Sequence, residues 1–375
     1  MIKSITASKN VKNERMLNFY KNYEKEVTPI VGKYEWLRWK CLIVLLVVSG
    51  VIIFLEVASH FSILGYVKSG DIIGIIVAIA LYIAPFVIAY GFVNGFYLRR
   101  VKEDLLQNVL KGVGEIYWLP NTQLITNETL NKSHLFSQFN ERANDDTFQG
   151  KYNGLNFKIS ESEMKYVTGS GKDKSVYPVF DGVIILIDSN KNIKADTIIT
   201  TKGDNNIRNS NNAIAIIIAI LVYYFSSILY SGVPSQFGPL LEFGLLIFSV
   251  LIYFALKSFF SKKTPMSNMQ LEDPEFNKKY DAYTQDQVEG RYLITPTFME
   301  RFKNLHTSFG TNKAKCAFFD NKIMFALSTK KNLFELAGGI FSSLKNPKQT
   351  KIFYEEISAI YDLIDYFKLD EKTGL

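Results

Sequence analysis

The chain has 375 residues, room for about two ordinary domains, and a net charge of +7 from 43 Lys plus Arg against 36 Asp plus Glu. That balance is modest: it fits a cytoplasmic face near anionic lipid as well as weak nucleic-acid affinity. Two widely separated cysteines, Cys41 and Cys316, exclude a disulfide framework and a zinc knuckle.

Residues 1–40 are mostly polar, so no secretory signal peptide is expected. Met16, Phe19 or Tyr20, Tyr23, Val27 and Ile30 recur at steps of three and four. This predicts an amphipathic helical tail, lying on a membrane surface or packed on the polar domain. Cys41 to Leu55 then gives 15 uncharged residues, flanked by Trp36 and Trp39 and ended by Glu56. Ile72 to Leu98 gives 27 residues without a charge, more than the ~20 that cross a hydrocarbon core. Together they predict a first transmembrane hairpin over 41–98. Within it, Gly91 and Gly95 form a GxxxG pair suited to close helix packing, and Pro85 predicts a kink.

A stalk helix is expected to continue through Val101, Leu105 and Val109, ending at Gly112 and Gly114. With it, 99–212 forms the first half of a cytoplasmic α+β domain. A short helix is expected around 127–140. From Phe148 the period changes to two. Leu155, Phe157 and Ile159 mark one strand, 176–188 a second and 193–201 a third, with a turn at Asp188 to Asn192 between the last two. Ala213 to Val233 (21 residues) and Pro239 to Leu256 (18 residues) then predict a second membrane hairpin, an insertion over 213–256.

Residues 257–375 form the second half of the same domain. Thr295-Pro296 opens a helix in which Thr297 and Glu300 resemble a capping box. Phe298, Phe302, Leu305 and Phe309 supply its buried face. Asp320-Asn321 is a hairpin turn between strands 316–319 and 323–327. A last helix starts near Lys351, its apolar face formed by Phe353, Ile357, Ile360, Ile364 and Phe367. The expected fold is therefore membrane α-helical, with four transmembrane helices in two hairpins. A cytoplasmic α+β domain with a mainly antiparallel sheet accompanies it. Meandering strands closed by a helix are also the pattern of pleckstrin-homology-like barrels, an analogy of fold alone.

Basic residues set the orientation. Nine Lys or Arg lie in residues 1–40, Arg99, Arg100 and Lys102 follow the second span, and Lys257, Lys262 and Lys263 follow the fourth. The loops on the other side hold one, Lys68. Both termini are thus expected in the cytoplasm.

Gly169-Ser-Gly-Lys-Asp-Lys-Ser175 lacks the first Gly of a P-loop, where Tyr166 stands, and has Asp173 in place of Ser or Thr. Asp188 to Asn192 begins like an EF-hand but has Ile193 and Ile199 where Gly and Glu are required. His60, His134 and His306 have no metal-ligand spacing. Glu272, Asp273 and Glu275 cluster beside Pro274, either as acid-base carboxylates or as a turn that caps a helix. Arg291 reads as a partly buried residue of an apolar strand and a candidate ion-pair partner for them. These four form a possible interaction or ligand site. No catalytic residue, cofactor or metal site is expected.

Several blocks resemble DUF3137, a family of bacterial membrane proteins with a domain of unknown function. They are His134-Leu-Phe136, Asp145-Asp-Thr-Phe-Gln-Gly150, Asn153-Gly-Leu-Asn-Phe-Lys-Ile-Ser-Glu161, Val179-Phe-Asp-Gly182 and Leu271-Glu-Asp-Pro-Glu-Phe276. Tyr283-Thr-Gln-Asp-Gln-Val-Glu-Gly-Arg-Tyr-Leu-Ile-Thr-Pro296 and Met299-Glu-Arg301 complete the set. The resemblance spans roughly 115–340. It implies an N-terminal transmembrane hairpin and carries no catalytic residue.

The leading functional expectation is a non-enzymatic interaction or regulatory module at the inner face of a bacterial plasma membrane. Its partners would be the lipid bilayer and proteins, not nucleic acid. The alternatives are a lipid-sensing or lipid-handling protein, and a membrane enzyme or transporter component.

Overall fold

The computed structural model describes residues 13–58, 72–204 and 266–373, except 312 and 347, together with isolated helical positions at 244, 247, 248, 250 and 251. The chain divides into two compact units. The first comprises residues 1–122, 145–159 and 330–374; the second comprises 123–144 and 160–329. A mainly antiparallel sheet of nine strands accompanies the helices. Its order is β1-β2-β3-β4-β9-β8-β5-β7-β6.

The first unit opens with a helix that runs unbroken from Asn13 to Leu55. Its middle contains a π-helical turn, Tyr23–Val27, and its continuation is α1 (Thr28–Ala58). The second helix is α2 (Ile72–Leu110), which runs on through Pro85. The amphipathic tail packs on the polar part of this unit. Phe19 is fully buried, 4.7 Å from the Tyr354 ring, and Arg15 pairs with Asp362. The lower half of α2 is the expected stalk: Val101, Leu105, Leu106, Val109 and Leu110 are buried. It ends just before Gly112, as expected. Strand β1 (Glu115–Trp118) pairs with the second half of β2 (Glu141–Tyr152), Trp118 opposite Phe148. The unit closes with α7 (Lys348–Thr373), where Phe353, Ile357, Ile360 and Ile364 are fully buried.

The second unit holds most of the sheet. The hairpin of β2 and β3 (Leu155–Thr168) turns at Asn153-Gly154, both with positive φ and both residues of the first unit. Then come β4 (Ser175–Asp188) and β5 (Thr197–Thr201). After residue 266 follow β6 (Ser267–Met269), α4 (Pro274–Lys279) and β7 (Tyr280–Thr284). The chain continues through α5 (Gln287–Leu293), α6 (Pro296–Phe309), β8 (Lys313–Phe319) and β9 (Lys322–Ser328). Strand β4 pairs antiparallel with β9, Gly182 opposite Ser328, and β5 lies between β7 and β8. The segments on either side of 205–265 therefore build one sheet. One face packs Ile184, Leu186, Met324 and Ala326 with Leu135, Phe136 and Phe180. On α6, Phe298 and Phe302 are buried and meet Phe325.

Several expectations need correction. The helix near 127–140 is shorter, α3 (Asn127–Lys132), capped by Thr126. Strand β2 begins at Glu141, well before Phe148, and its polar first half hides the period. Strand β5 begins at Thr197, not Ile193. Thr295, not Thr297, caps α6, its Oγ1 accepting from the Phe298 N–H at 3.2 Å. Of the four expected membrane helices, one is matched among the described residues: Asn13–Leu55 is long and apolar enough to cross a membrane by length and composition. The run 72–98 forms most of α2. The second hairpin, 213–256, lies outside the described residues apart from the five isolated helical positions.

Candidate functional site

The carboxylates near Pro274 have structural work. Asp273 is the N-cap of α4: its Oδ1 accepts from the Glu275 and Phe276 N–H groups at 2.9 and 3.1 Å. Its Oδ2 meets Lys303 Nζ at 2.7 Å. The Lys303 bond first, and then the backbone donors, hold this carboxyl below its usual range. Glu275 is exposed and pairs with Lys278 at 2.8 Å, and Glu272 is exposed. The helix-capping reading of this cluster fits the geometry.

Arg291 sits elsewhere than expected. It is exposed, in the last turn of the α5 helix and not in a strand. Asp286 starts that helix by accepting from the Val288 and Glu289 N–H groups at 2.8 and 3.1 Å. The short apolar run after Arg291 fits either helix or strand, and the upstream cap decides. The cation on Asp273 is Lys303, from α6. Gly91 and Gly95 are exposed on α2, and a Cβ added to either would meet nothing within 4 Å. The GxxxG face thus packs on nothing within the described chain. The loop at 169–175 holds a 3-10 turn, Gly171–Asp173, between β3 and β4, a hairpin loop in place of a P-loop.

Two polar centres escaped the sequence. In the second unit, Arg142 on β2 donates to the Ile125 carbonyl at 2.6 Å, Asn144 Oδ1 at 2.9 Å and Asn127 Oδ1 at 3.2 Å. Burial lowers its pKa to about 10. These neutral acceptors use most of its donors, so Arg142 acts as a pin between α3 and the sheet.

The second centre lies in the first unit and is built from four elements. Lys102 leaves the stalk of α2, pairs with Asp146 of β2 and reaches Glu335 Oε1 at 2.5 Å. Trp118 of β1 donates its indole N–H to Asp146 Oδ1 at 2.8 Å. Glu356 of α7 accepts the Phe334 N–H at 2.8 Å. Asp146 is 1% exposed and Glu356 6%. Burial raises Asp146 to about 6 although Lys102 and Trp118 both favour its charged form. Burial, then the nearby Glu335 and Asp146, raises Glu356 to about 7. Lys102 thus bridges two carboxylates, Asp146 and Glu335, and Glu356 stands nearby on the Phe334 N–H. Sequence reasoning counted Lys102 only as a charge beside the membrane, because burial of a charge is set by tertiary packing.

The most extensive feature is apolar. Along α1, Leu46, Val47, Phe54 and Val57 are exposed; along α2, Ile72, Ile73, Val87, Ile88 and Phe92 are exposed. Phe92 is 77% exposed and Leu46 72%. A water-soluble monomer rarely carries so long a continuous apolar surface. Between the helices, Leu37, Lys40, Cys41, Val44, Phe92, Val93 and Phe96 line an apolar groove of about 420 Å³. Trp36 and Trp39 are exposed beside it, with Lys40 over the Trp36 ring at 3.3 Å.

The chain matches the family described as "Protein of unknown function (DUF3137)" over residues 178–369, just over half its length, and belongs to that family. The match runs from β4 into α7, so it includes Glu335, Glu356 and the 272–275 carboxylates. It begins after the resembling blocks at 134–161. No curated protein and no solved structure matches the chain.

Proposed function

We propose that the chain is a membrane-anchored, non-enzymatic interaction or regulatory module at the inner face of a bacterial plasma membrane. The observation that carries the anchoring is the exposed apolar surface of α1 and α2, ending in a band of Trp36, Trp39, Arg99 and Arg100. Hydrocarbon accepts that surface and water does not, and aromatic and basic residues favour the cytoplasmic boundary. The topology we infer is two hairpins, 41–98 and 213–256, with both termini and the sheet in the cytoplasm.

Surface chemistry supports partner binding. On α5, Val288 is 80% exposed and Tyr292 52%, four residues apart and so on one helix face. Exposed Tyr and aliphatic pairs of this kind are favoured at protein interfaces. Photocrosslinking in cells from Val288 and Tyr292, followed by identification of the adducts, tests the reading. A discrete protein adduct seen from both positions, and lost on Val288→Asp, is the expected result. Adducts no different from those of the exposed control Glu163 would remove it.

A second reading, lipid handling, is favoured by the groove between α1 and α2, which is apolar and has Lys40 among its lining residues. Co-purification of a stoichiometric lipid that Val93→Trp displaces would move the proposal to that class.

A further inference from the structure

We propose that the loop at 336–344 is a membrane wedge, with Phe341 seated in the lipid interface as a third, non-helical contact with the bilayer. The inference rests on the membrane reading of α1 and α2 and deepens it.

The loop is clamped to both helices. The Ile340 N–H donates to Asn94 Oδ1 of α2 at 2.9 Å, and the Ile340 carbonyl accepts from Arg38 Nη1 of α1 at 3.2 Å. Glu35 Oε1 accepts from Ser343 Oγ at 2.8 Å and from the Leu344 N–H at 2.5 Å. Arg38 and Glu35 pair with each other at 3.0 Å, and both are buried. Gly339 has φ +91, and a Cβ there would lie 2.8 Å from Asn94 Oδ1. Only glycine allows that approach.

The position along α2 sets the depth. Asn94 is five residues before the basic Arg99, and Tyr90 is nine, which at ~1.5 Å per residue is about 8 and about 14 Å into the apolar run. The headgroup region on each side is only about 5–8 Å thick. Phe341 stacks on Tyr90, centroids 5.6 Å apart and planes 13° apart. The tip therefore lies where interfacial aromatics sit, or deeper.

Its chemistry suits that depth. Non-helical backbone is tolerated in a bilayer only where protein groups satisfy its polar atoms. Here Asn94, Arg38 and Glu35 do so, and the Ser342 N–H donates to the Gly339 carbonyl at 3.0 Å. Ile340 is 0% exposed while Phe341 beside it is 69% exposed. A loop that buries one apolar residue as its anchor and presents the next has the form of an insertion tip. Exposed Trp36, Trp39, Phe92 and Phe96 occupy the same part of the helix pair.

The test uses the full chain in vesicles of phosphatidylcholine and phosphatidylglycerol containing a nitroxide-labelled lipid. A polarity-sensitive fluorophore is attached in turn through Phe341→Cys, Val47→Cys and Tyr117→Cys. All three positions are exposed, and the native Cys41 and Cys316 are buried. The proposal expects blue-shifted, lipid-quenched emission at 341 and 47, and unshifted, unquenched emission at 117. Quenching at 47 with 341 behaving like 117 would overturn the wedge and leave the anchor standing. Loss of quenching at both 47 and 341 would overturn the anchor, and the wedge with it.

Discussion

Replacing Lys102 by Met removes the cation that pairs with Asp146 and Glu335 and keeps most of the side-chain volume. Asp146 and Glu335 then face each other without compensation, at 1% and 15% side-chain exposure. Breaking a buried ion pair from one side costs roughly 3–5 kcal/mol, because the abandoned charge stays buried. The carboxylates can escape part of that cost by binding a proton. Asp146 is already raised to about 6 with Lys102 present, and without it the value rises further. At about pH 5 the loss shrinks towards that of a missing hydrogen bond, about 1 kcal/mol. At about pH 8 the full penalty returns, so the deficit grows with pH. Unfolding of the detergent-solubilised chain, followed by tryptophan emission, measures this, and Trp118 reports locally because it donates to Asp146. A deficit below about 1 kcal/mol, or one constant between about pH 5 and pH 8, would refute the reasoning.

Glu356→Gln keeps an acceptor for the Phe334 N–H and abolishes titration. The native carboxyl is raised to about 7 from 4.5, so the native state binds a proton more readily than the unfolded one. Its contribution therefore falls as pH rises from 4.5 through 7, by about 3 kcal/mol in total. The variant should be the more stable protein above neutrality and should lose that advantage near pH 4.5; an unchanged pH slope in denaturant melts would contradict this. Asp273→Ala removes an N-cap and should lower the melting temperature measurably. Lys303→Met should cost less, because partly exposed pairs are screened, and equal losses would count against the capping role. Gly182→Ala places a Cβ 2.1 Å from the Leu327 carbonyl at φ +148, in the β4–β9 ladder. It should cost at least about 3 kcal/mol, and wild-type melting would show that the ladder adapts.

Local chemistry carried much of the fold in the sequence. Asp320-Asn321 has the two positive φ values of a hairpin turn, with β8 and β9 on either side. The steps of three and four in α7 locate its buried face, and the tail's aromatic face finds Tyr354. The misses share one cause. Arg291 was read from a short apolar run that does not distinguish strand from helix, and the cap at Asp286 made it helical. Glu141 to Asp146 look like a polar loop because they carry no alternating apolar residues, although they form the first half of β2. Lys102, Asp146, Glu335 and Glu356 come from four separated elements, so only packing reveals them as a cluster. Loop 336–344 has no periodic pattern; its shape comes from Glu35, Arg38 and Asn94, some 240 to 310 residues earlier. The position of Asp273 before Pro274 makes its capping role legible in the sequence; its partner Lys303, 30 residues on, is set by packing.

The proposed anchor is the helix pair α1 and α2. Alkaline carbonate extraction of membranes from cells producing the full chain tests it most directly. A chain anchored by α1 and α2 stays in the pellet and is released only by detergent. Release into the carbonate supernatant, as a monodisperse protein without detergent, would contradict it.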